Sequence, residues 1–175
     1  MAKQIEKLAK IEKEGKWLVL DHGQYIIPAN AAILEIVQIY LRTASGEWRI
    51  RKTTTSRGVI YETARKFKTK VKDERDEDEK EIGCLQYYFL LLFFREIKCR
   101  VIKKTRYEFY HHQWLCQYDV FHGWAKPHCT VEVELKLPHQ QVSDVELPPT
   151  MNASNITGDK RFSNRAIAEH GIPKL

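Results

Sequence analysis

The stretch KIEKEGKWLVL, residues 10–20, decides how the rest of the chain is read. Its second half, Lys16–Leu20, has the apolar character of a strand entering a core. Its first half sets Glu12, Glu14 and Lys16 at every second position. Side chains alternate between the two faces of a strand, so these three charges share one face. The spacing recurs in Arg49 and Arg51, in Arg75, Glu77 and Glu79, in Lys104 and Arg106, and in Glu132 and Glu134. Around the last pair, Val131, Val133 and Leu135 alternate with the glutamates, so the opposite face is apolar.

Strand-like segments carry most of these pairs: EIVQIYLRT (35–43), EWRIRKTTT (47–55), VIYETARKF (59–67), CRVIKKTRYEFY (99–110), WLCQYDVFHG (114–123) and CTVEVELKLP (129–138). Turn signals separate them: DHGQ at 21–24, TASGE at 43–47 and TSRG at 55–58. Residues 73–81 are a dense charge run. Cys84–Phe94 is expected to be a helix packed on the sheet, and DKRFSNRAIAEHG (159–171) a short C-terminal helix stopped at Gly171. With 175 residues, 43% of them hydrophobic and 30% charged, the expectation is a single domain over residues 1–175 with a sizeable core. No linker or internal repeat divides it.

The net charge of +6 implies an anionic partner. Cys84, Cys99, Cys116 and Cys129 form no C-x-x-C pair, and no signal peptide precedes them, so reduced thiols and a cytoplasmic location are expected. The sequons at Asn152 and Asn155 then carry no meaning. The apolar run Tyr87–Phe94 is too short to span a bilayer. The seven histidines do not fall at zinc spacing; His111, His112, His122 and His128 read as turn or strand-end residues. Trp17, Trp48, Trp114 and Trp124 read as core and rim residues.

Two readings of the alternating charges are open. An ordinary antiparallel sheet has one solvated face, and the acidic run also suits a solvated loop or helix face. Alternatively, the sheet closes into a barrel with the charged faces inward. Seven acids (Glu12, Glu14, Glu77, Glu79, Asp119, Glu132, Glu134) and six bases (Lys16, Arg49, Arg51, Arg65, Lys104, Arg106) then share one lumen. Partly desolvated charges on that scale are costly unless paired, wetted or bound to ligand. Carboxylates take hard cations such as Mg²⁺, and Arg and Lys clamp phosphate oxygens, so a lumen suits a divalent metal with a polyanion. Acidic and basic pairs are segregated by strand, which favours the lumen.

The motifs also resemble, in order, those of the CYTH superfamily, the triphosphate tunnel metalloenzymes. EKEGK (12–16) is similar to its opening E-x-E-x-K, QIYL (38–41) to QGYL, and WRIRK (48–52) to R-x-R. RDEDEKEI (75–82) is similar to R-x-E-x-E-x-x-I, KKTRY (103–107) to K-T-R-Y, DVFHG (119–123) to D-x-F-x-G, and VEVEL (131–135) to the closing E-x-E. The tail ITGDKRFSNRAIA (156–168) most resembles bacterial-type members associated with inorganic triphosphatase activity. There are departures. Thr63 is followed by Arg65 and Lys66 where the family often has T-x-K, leaving open which of the two faces inward. Gln117 stands where Glu is frequent, Ile39 replaces the Gly of QGYL, and the segment before Glu12 is longer than in compact members, suiting an N-terminal helix over one tunnel end.

The resemblance implies an α+β fold, an eight-stranded antiparallel β-barrel or tunnel with a few flanking helices, and Mg²⁺- or Mn²⁺-dependent hydrolysis of a triphosphate. It implies that Glu12, Glu14 and one or both of Glu132 and Glu134 hold a cation. Glu77, Glu79 and Asp119 would hold a second ion or orient a water. Lys16, Arg49, Arg51, Arg65, Lys104 and Arg106 would grip the phosphate chain, and Arg161 would close over one end. Lys16 and Tyr40 resemble a pair that helps activate the attacking water; the carboxylates around Lys16 oppose a lowered pKa, so the base is unsettled. Inorganic tripolyphosphate is the leading substrate. Thiamine triphosphate, a nucleoside triphosphate, an RNA 5′ end, adenylate cyclase chemistry and a non-catalytic polyphosphate- or RNA-binding module are the alternatives. No membrane partner is expected, and the chain is expected to be a monomer or homodimer.

Overall fold

The computed structural model describes residues 13–21, 25–43, 46–68, 75–95 and 100–174. Glu12 and the expected N-terminal helix lie outside these residues, as does Cys99. Nine strands form one antiparallel sheet: β1 (Lys13–Val19), β2 (Ala32–Thr43), β3 (Gly46–Thr55), β4 (Gly58–Lys68), β5 (Arg75–Glu81), β6 (Ile102–His111), β7 (Trp114–Phe121), β8 (Cys129–Leu135) and β9 (Ala153–Asn155). Two helices among the described residues, α1 (Cys84–Arg95) and α2 (Asn164–His170), complete an α+β fold. Neither is long and apolar enough to cross a membrane.

The order across the sheet is β5-β4-β3-β2-β6-β7-β8-β1-β9. Among the described residues this ladder has two ends, so it is an open nine-stranded sheet where eight strands and a closed barrel were expected. The extra strand, β9, is three residues long and pairs Ala153–Asn155 with Trp17–Val19. The acidic run, which also suited a loop or helix face, is strand β5; pairing with β4 overrides the weak strand propensity of Asp and Glu. The C-terminal helix is shorter than expected. Lys160–Phe162 forms a 3-10 turn, and α2 starts behind Ser163, whose side chain accepts from Ala166 N.

The registers place the charges together. Arg51 lies opposite Gln38 on one side and Glu62 on the other; Arg106 opposite Asp119; Gln117 opposite Glu132; and Glu132 opposite Lys16. The sheet curls around this face: Arg106 Nη2 on β6 reaches Glu132 Oε2 on β8, two ladders away, at 2.6 Å, and Tyr40 on β2 shares a buried cluster with Phe121 on β7. The other face is apolar and covered. Trp17, Val19, Cys116, Tyr118, Val131 and Val133 pack beneath Met151, with Val142, Val145 and Leu147 of the loop after β8 against them. Under β2–β4, Ile39, Ile50 and Ile82 pack on Tyr87 of α1. At one end of the charged face, Ile167 and Ala168 of α2 pack on Tyr40, Ile102 and Phe121.

Gly15 shows how closely the apolar side is filled. A Cβ there would meet the Trp17 ring 2.3 Å away, and Trp17 is buried. Gly15→Ala is therefore expected to displace the indole and cost about 1–3 kcal/mol, read as a lower urea midpoint with an unchanged denaturant slope.

Candidate functional site

The centre of the charged face is a buried ionic chain. Asp119 on β7 is fully buried. Its Oδ1 accepts from Arg106 Nε at 2.7 Å, and its Oδ2 accepts from Arg106 Nη2 at 2.8 Å and from Lys104 Nζ. Arg106 continues outward, donating to Glu132 Oε2 at 2.6 Å and to Gln117 Oε1 at 2.7 Å. Lys16 Nζ donates to Glu132 Oε1 at 2.7 Å. Alternation on adjacent strands explains the grouping: Lys104 and Arg106 flank Thr105 on β6, and Asp119 and Glu132 face them from β7 and β8.

Burial and pairing set the protonation states. Desolvation pushes Lys104 down to about 8, against the opposing pull of Asp119. Burial disfavours the Glu132 carboxylate, but Lys16, Lys104 and Arg106 outweigh it and hold the group well below the usual carboxylate range. Burial also opposes the Arg106 charge, and Asp119 and Glu132 overcome it. Arg51 is pushed down by burial and by Arg49 beside it. Burial raises the Tyr40 phenol despite Arg49 and Arg51, so Tyr40 is a hydrogen-bond donor at neutral pH rather than a base.

Of the residues expected from sequence, Lys16, Tyr40, Arg49, Arg51, Lys104, Arg106, Asp119, Glu132 and Glu134 are brought to this face, as is Glu14, which the register sets directly opposite Glu134. Both oxygens of Asp119 and of Glu132 are engaged by cations, so these two act as internal counter-ions in this structure. Glu79 receives Arg49 Nη2 at 2.7 Å. Glu77 holds the register position opposite Lys66. Two expectations fall elsewhere. Arg65 lies on the opposite face, its guanidinium 3.6 Å from the centre of the Trp48 ring, while Lys66 holds the position opposite Glu47. Arg161 is exposed and paired with Asp159 at 2.7 Å in the 3-10 turn.

Two residues on this face were not among the expected site residues. Arg165 of α2 reaches Glu47 of β3 at 2.5 Å. The Ser163 cap would have fixed the helix phase, with Arg165 three residues before the buried Ala168. His128 is buried against Phe121 and Phe162; desolvation and Lys16 push its pKa down to about 4, so it is neutral. Several buried polar atoms here have no partner among the described residues: both amide atoms of Gln38, Arg51 Nε, Thr130 Oγ1 and His128 Nε2.

Glu14 and Glu134 are exposed carboxylates facing each other across the β1–β8 ladder, where a bound cation would relieve their mutual repulsion. Their oxygen donors suit Mg²⁺ or Mn²⁺. No group of three or more metal-binding side chains is formed among the described residues, which exclude Glu12.

No protein-family model matches the chain, and no curated protein matches it. Solved structures do. The chain is similar to the inorganic triphosphatase NE1496 at 28% identity, over 91% of this chain and 95% of that one, with a TM-score of 0.65. A second structure, of the hypothetical protein NE1496, aligns at 28% identity over 93% and 99% with a TM-score of 0.64. The PH1819 protein from Pyrococcus horikoshii OT3 shares the fold at 19% identity, over 74% and 80%, with a TM-score of 0.50. The likeness to NE1496, together with the ordered motifs and the charged face they build, supports the resemblance of this chain to the CYTH superfamily and its bacterial-type inorganic triphosphatases.

Proposed function

We propose that the protein hydrolyses inorganic tripolyphosphate to pyrophosphate and phosphate, with Mg²⁺ or Mn²⁺, on the charged concave face. The observation that carries this reading is the gathering of largely buried cations on one face, with unpartnered buried polar atoms beside them. Lys104, Arg51 and Arg106 are largely withdrawn from water, and Gln38, Thr130 and His128 present polar atoms with no protein partner among the described residues. Such a surface is stable when a polyanion supplies the missing contacts. Likeness to an inorganic triphosphatase supports triphosphate chemistry at the level of the family. The curl of the open sheet supports a groove along which a linear phosphate chain lies.

Arg49, Arg51, Lys104 and Arg106 grip the phosphate oxygens and neutralise the charge that spreads over them as the phosphoanhydride bond breaks. Water attacks the terminal phosphorus, and pyrophosphate leaves with the bridging oxygen. Lys16 and Tyr40 donate hydrogen bonds at the reacting end; Lys16 exchanges its Glu132 partner for phosphate. Glu14 and Glu134, with Glu12, would hold the divalent ion, which when bound neutralises phosphate charge. Asp119 keeps Lys104 and Arg106 aimed. Free Cys84, Cys116 and Cys129 fit a reducing, cytoplasmic setting.

Phosphate release is expected to be fastest from tripolyphosphate when it is compared with ATP and thiamine triphosphate under Mg²⁺ and Mn²⁺. Preference for ATP with pyrophosphate as product would mark a cyclase, and salt-sensitive binding without turnover a binding module. Glu14→Ala is expected to lower metal-dependent turnover on the order of 100-fold or more with the circular dichroism spectrum unchanged. Tripolyphosphate with a divalent ion at a hundredfold excess over Kd should stabilise the fold by about 2.7 kcal/mol, seen as a rise in Tm. The absence of any such rise at millimolar ligand argues against a phosphate site on this face.

Lys104 gives a pH signature. Its ammonium form is present below about 8 and is lost above it, so calorimetric affinity for tripolyphosphate without metal should fall as pH rises through that value. Lys104→Arg keeps its charge and should abolish this alkaline limb. An unchanged limb in the variant would assign it to another group.

A further inference from the structure

We propose that the outward face of α1 is a homodimer interface, pairing with α1 of a second copy about a two-fold axis. Leu85, Tyr88, Phe89, Leu92 and Phe93 are exposed by 46–88%. They fall at i, i+3, i+4, i+7 and i+8, one continuous stripe of the helix. The opposite side is equally apolar and already used: Tyr87, Leu90 and Leu91 pack on Ile39, Ile50 and Ile82. No charged residue occurs from Cys84 to Phe94, in a chain whose residues are 30% charged. A helix that is apolar all round is covered on both sides in a stable protein.

The size and chemistry of the stripe select the occupant. Side chains of this kind bring about 150–250 Å² each, so the exposed fractions leave on the order of 600 Å² per copy. Two copies bury about 1,200 Å², the lower edge of stable specific interfaces. An isologous contact needs only the same patch twice and no complementary charge, which suits a stripe that carries none. Phe89 and Phe93, with ring centres 5.3 Å apart, already form a paired anchor on the surface. A helix lying in a lipid surface instead keeps a basic polar face turned to water, and α1 has no polar face because its other side is in the core. The stripe lies on the opposite side of the sheet from the ionic chain, so the inference is independent of the reading of that face.

The test is sedimentation equilibrium of the full chain from about 1 to 100 µM, with Leu92→Lys and Phe89→Ser measured separately. The expected result is a wild-type dimer, at least about tenfold weaker in each variant, with the sheet spectrum and triphosphate turnover of the variants retained. A wild type that is monomeric throughout overturns the proposal. So does a dimer that neither folded variant weakens. Flotation of a monomer with phosphatidylcholine–phosphatidylserine vesicles would assign the stripe to lipid. A monomer whose apolar dye binding rises on removal of residues 1–9 would assign it to the chain's own N-terminal segment. If both variants fail to fold, the wild-type concentration series alone decides.

Discussion

The buried Asp119 carboxylate, held between Lys104 and Arg106, is the interaction on which the charged face depends. A lone lysine at the depth of Lys104 would lose its proton or open the structure. Asp119 lowers that cost, and by accepting from two nitrogens of Arg106 it also fixes the plane of the guanidinium. The fixed guanidinium then reaches Glu132, which holds Lys16. One carboxylate thus sets the positions of three cations on two strands. Removing it would leave two buried positive charges with one counter-ion between them, a loss of about 3–5 kcal/mol in a protein interior.

An inward polar face leaves the outward face to supply the hydrophobic driving force, and that requirement arranges the remaining chain. The loop after β8 closes over Trp17, Tyr118 and Val131, while α1 closes over Ile39, Ile50 and Ile82. The cores are thin because they are built from one layer of sheet and one layer of cover. Gly15 is a consequence: in so thin a layer, Trp17 must lie flat across its own strand, and only a residue without a Cβ leaves it room. At the open end, α2 seals Tyr40 and Phe121 from water and brings Arg165 to Glu47. The stability of the ionic chain therefore rests on covers far from it in sequence.

Much of this was legible in the sequence because alternation is a local signal. Val131–Leu135 gives the two faces of β8 directly, and the spacing of Lys104, Arg106, Glu132 and Lys16 puts them on one surface once the strands are paired. Alternation does not give register between distant strands. Arg65 and Lys66 are adjacent, and only the pairing of Arg49 with Ala64 decides that Arg65 turns to Trp48. The open edge and β9 were equally hidden, since Ala153–Asn155 pairs through its backbone and carries no apolar pattern. Sequence also cannot say which carboxylates are consumed internally. Glu132 and Glu134 are two residues apart on one face, yet the first is buried against Lys16 and Arg106 and the second is exposed.

That division between consumed and open carboxylates bears on how an anion is accepted. In the free protein, the charge of Arg106 is balanced from within by Asp119 and Glu132. A phosphate oxygen arriving at Arg106 or Lys16 competes with Glu132, and at Lys104 with Asp119. Glu132 is the weaker holder, because its partners come from separate strands and each of its oxygens accepts from one cation; Asp119 is fully buried and grips one guanidinium twice. Exchange should therefore proceed from the Lys16 side inward, releasing Glu132 first and leaving the Lys104–Asp119–Arg106 core in place. A released Glu132 would then stand beside Glu134 and Glu14, enlarging the cluster of oxygen donors at the moment a polyanion is bound. On the proposed reading, cation affinity and phosphate affinity would be coupled through that one side chain, and thermodynamic reciprocity would require each ligand to tighten the other by the same factor.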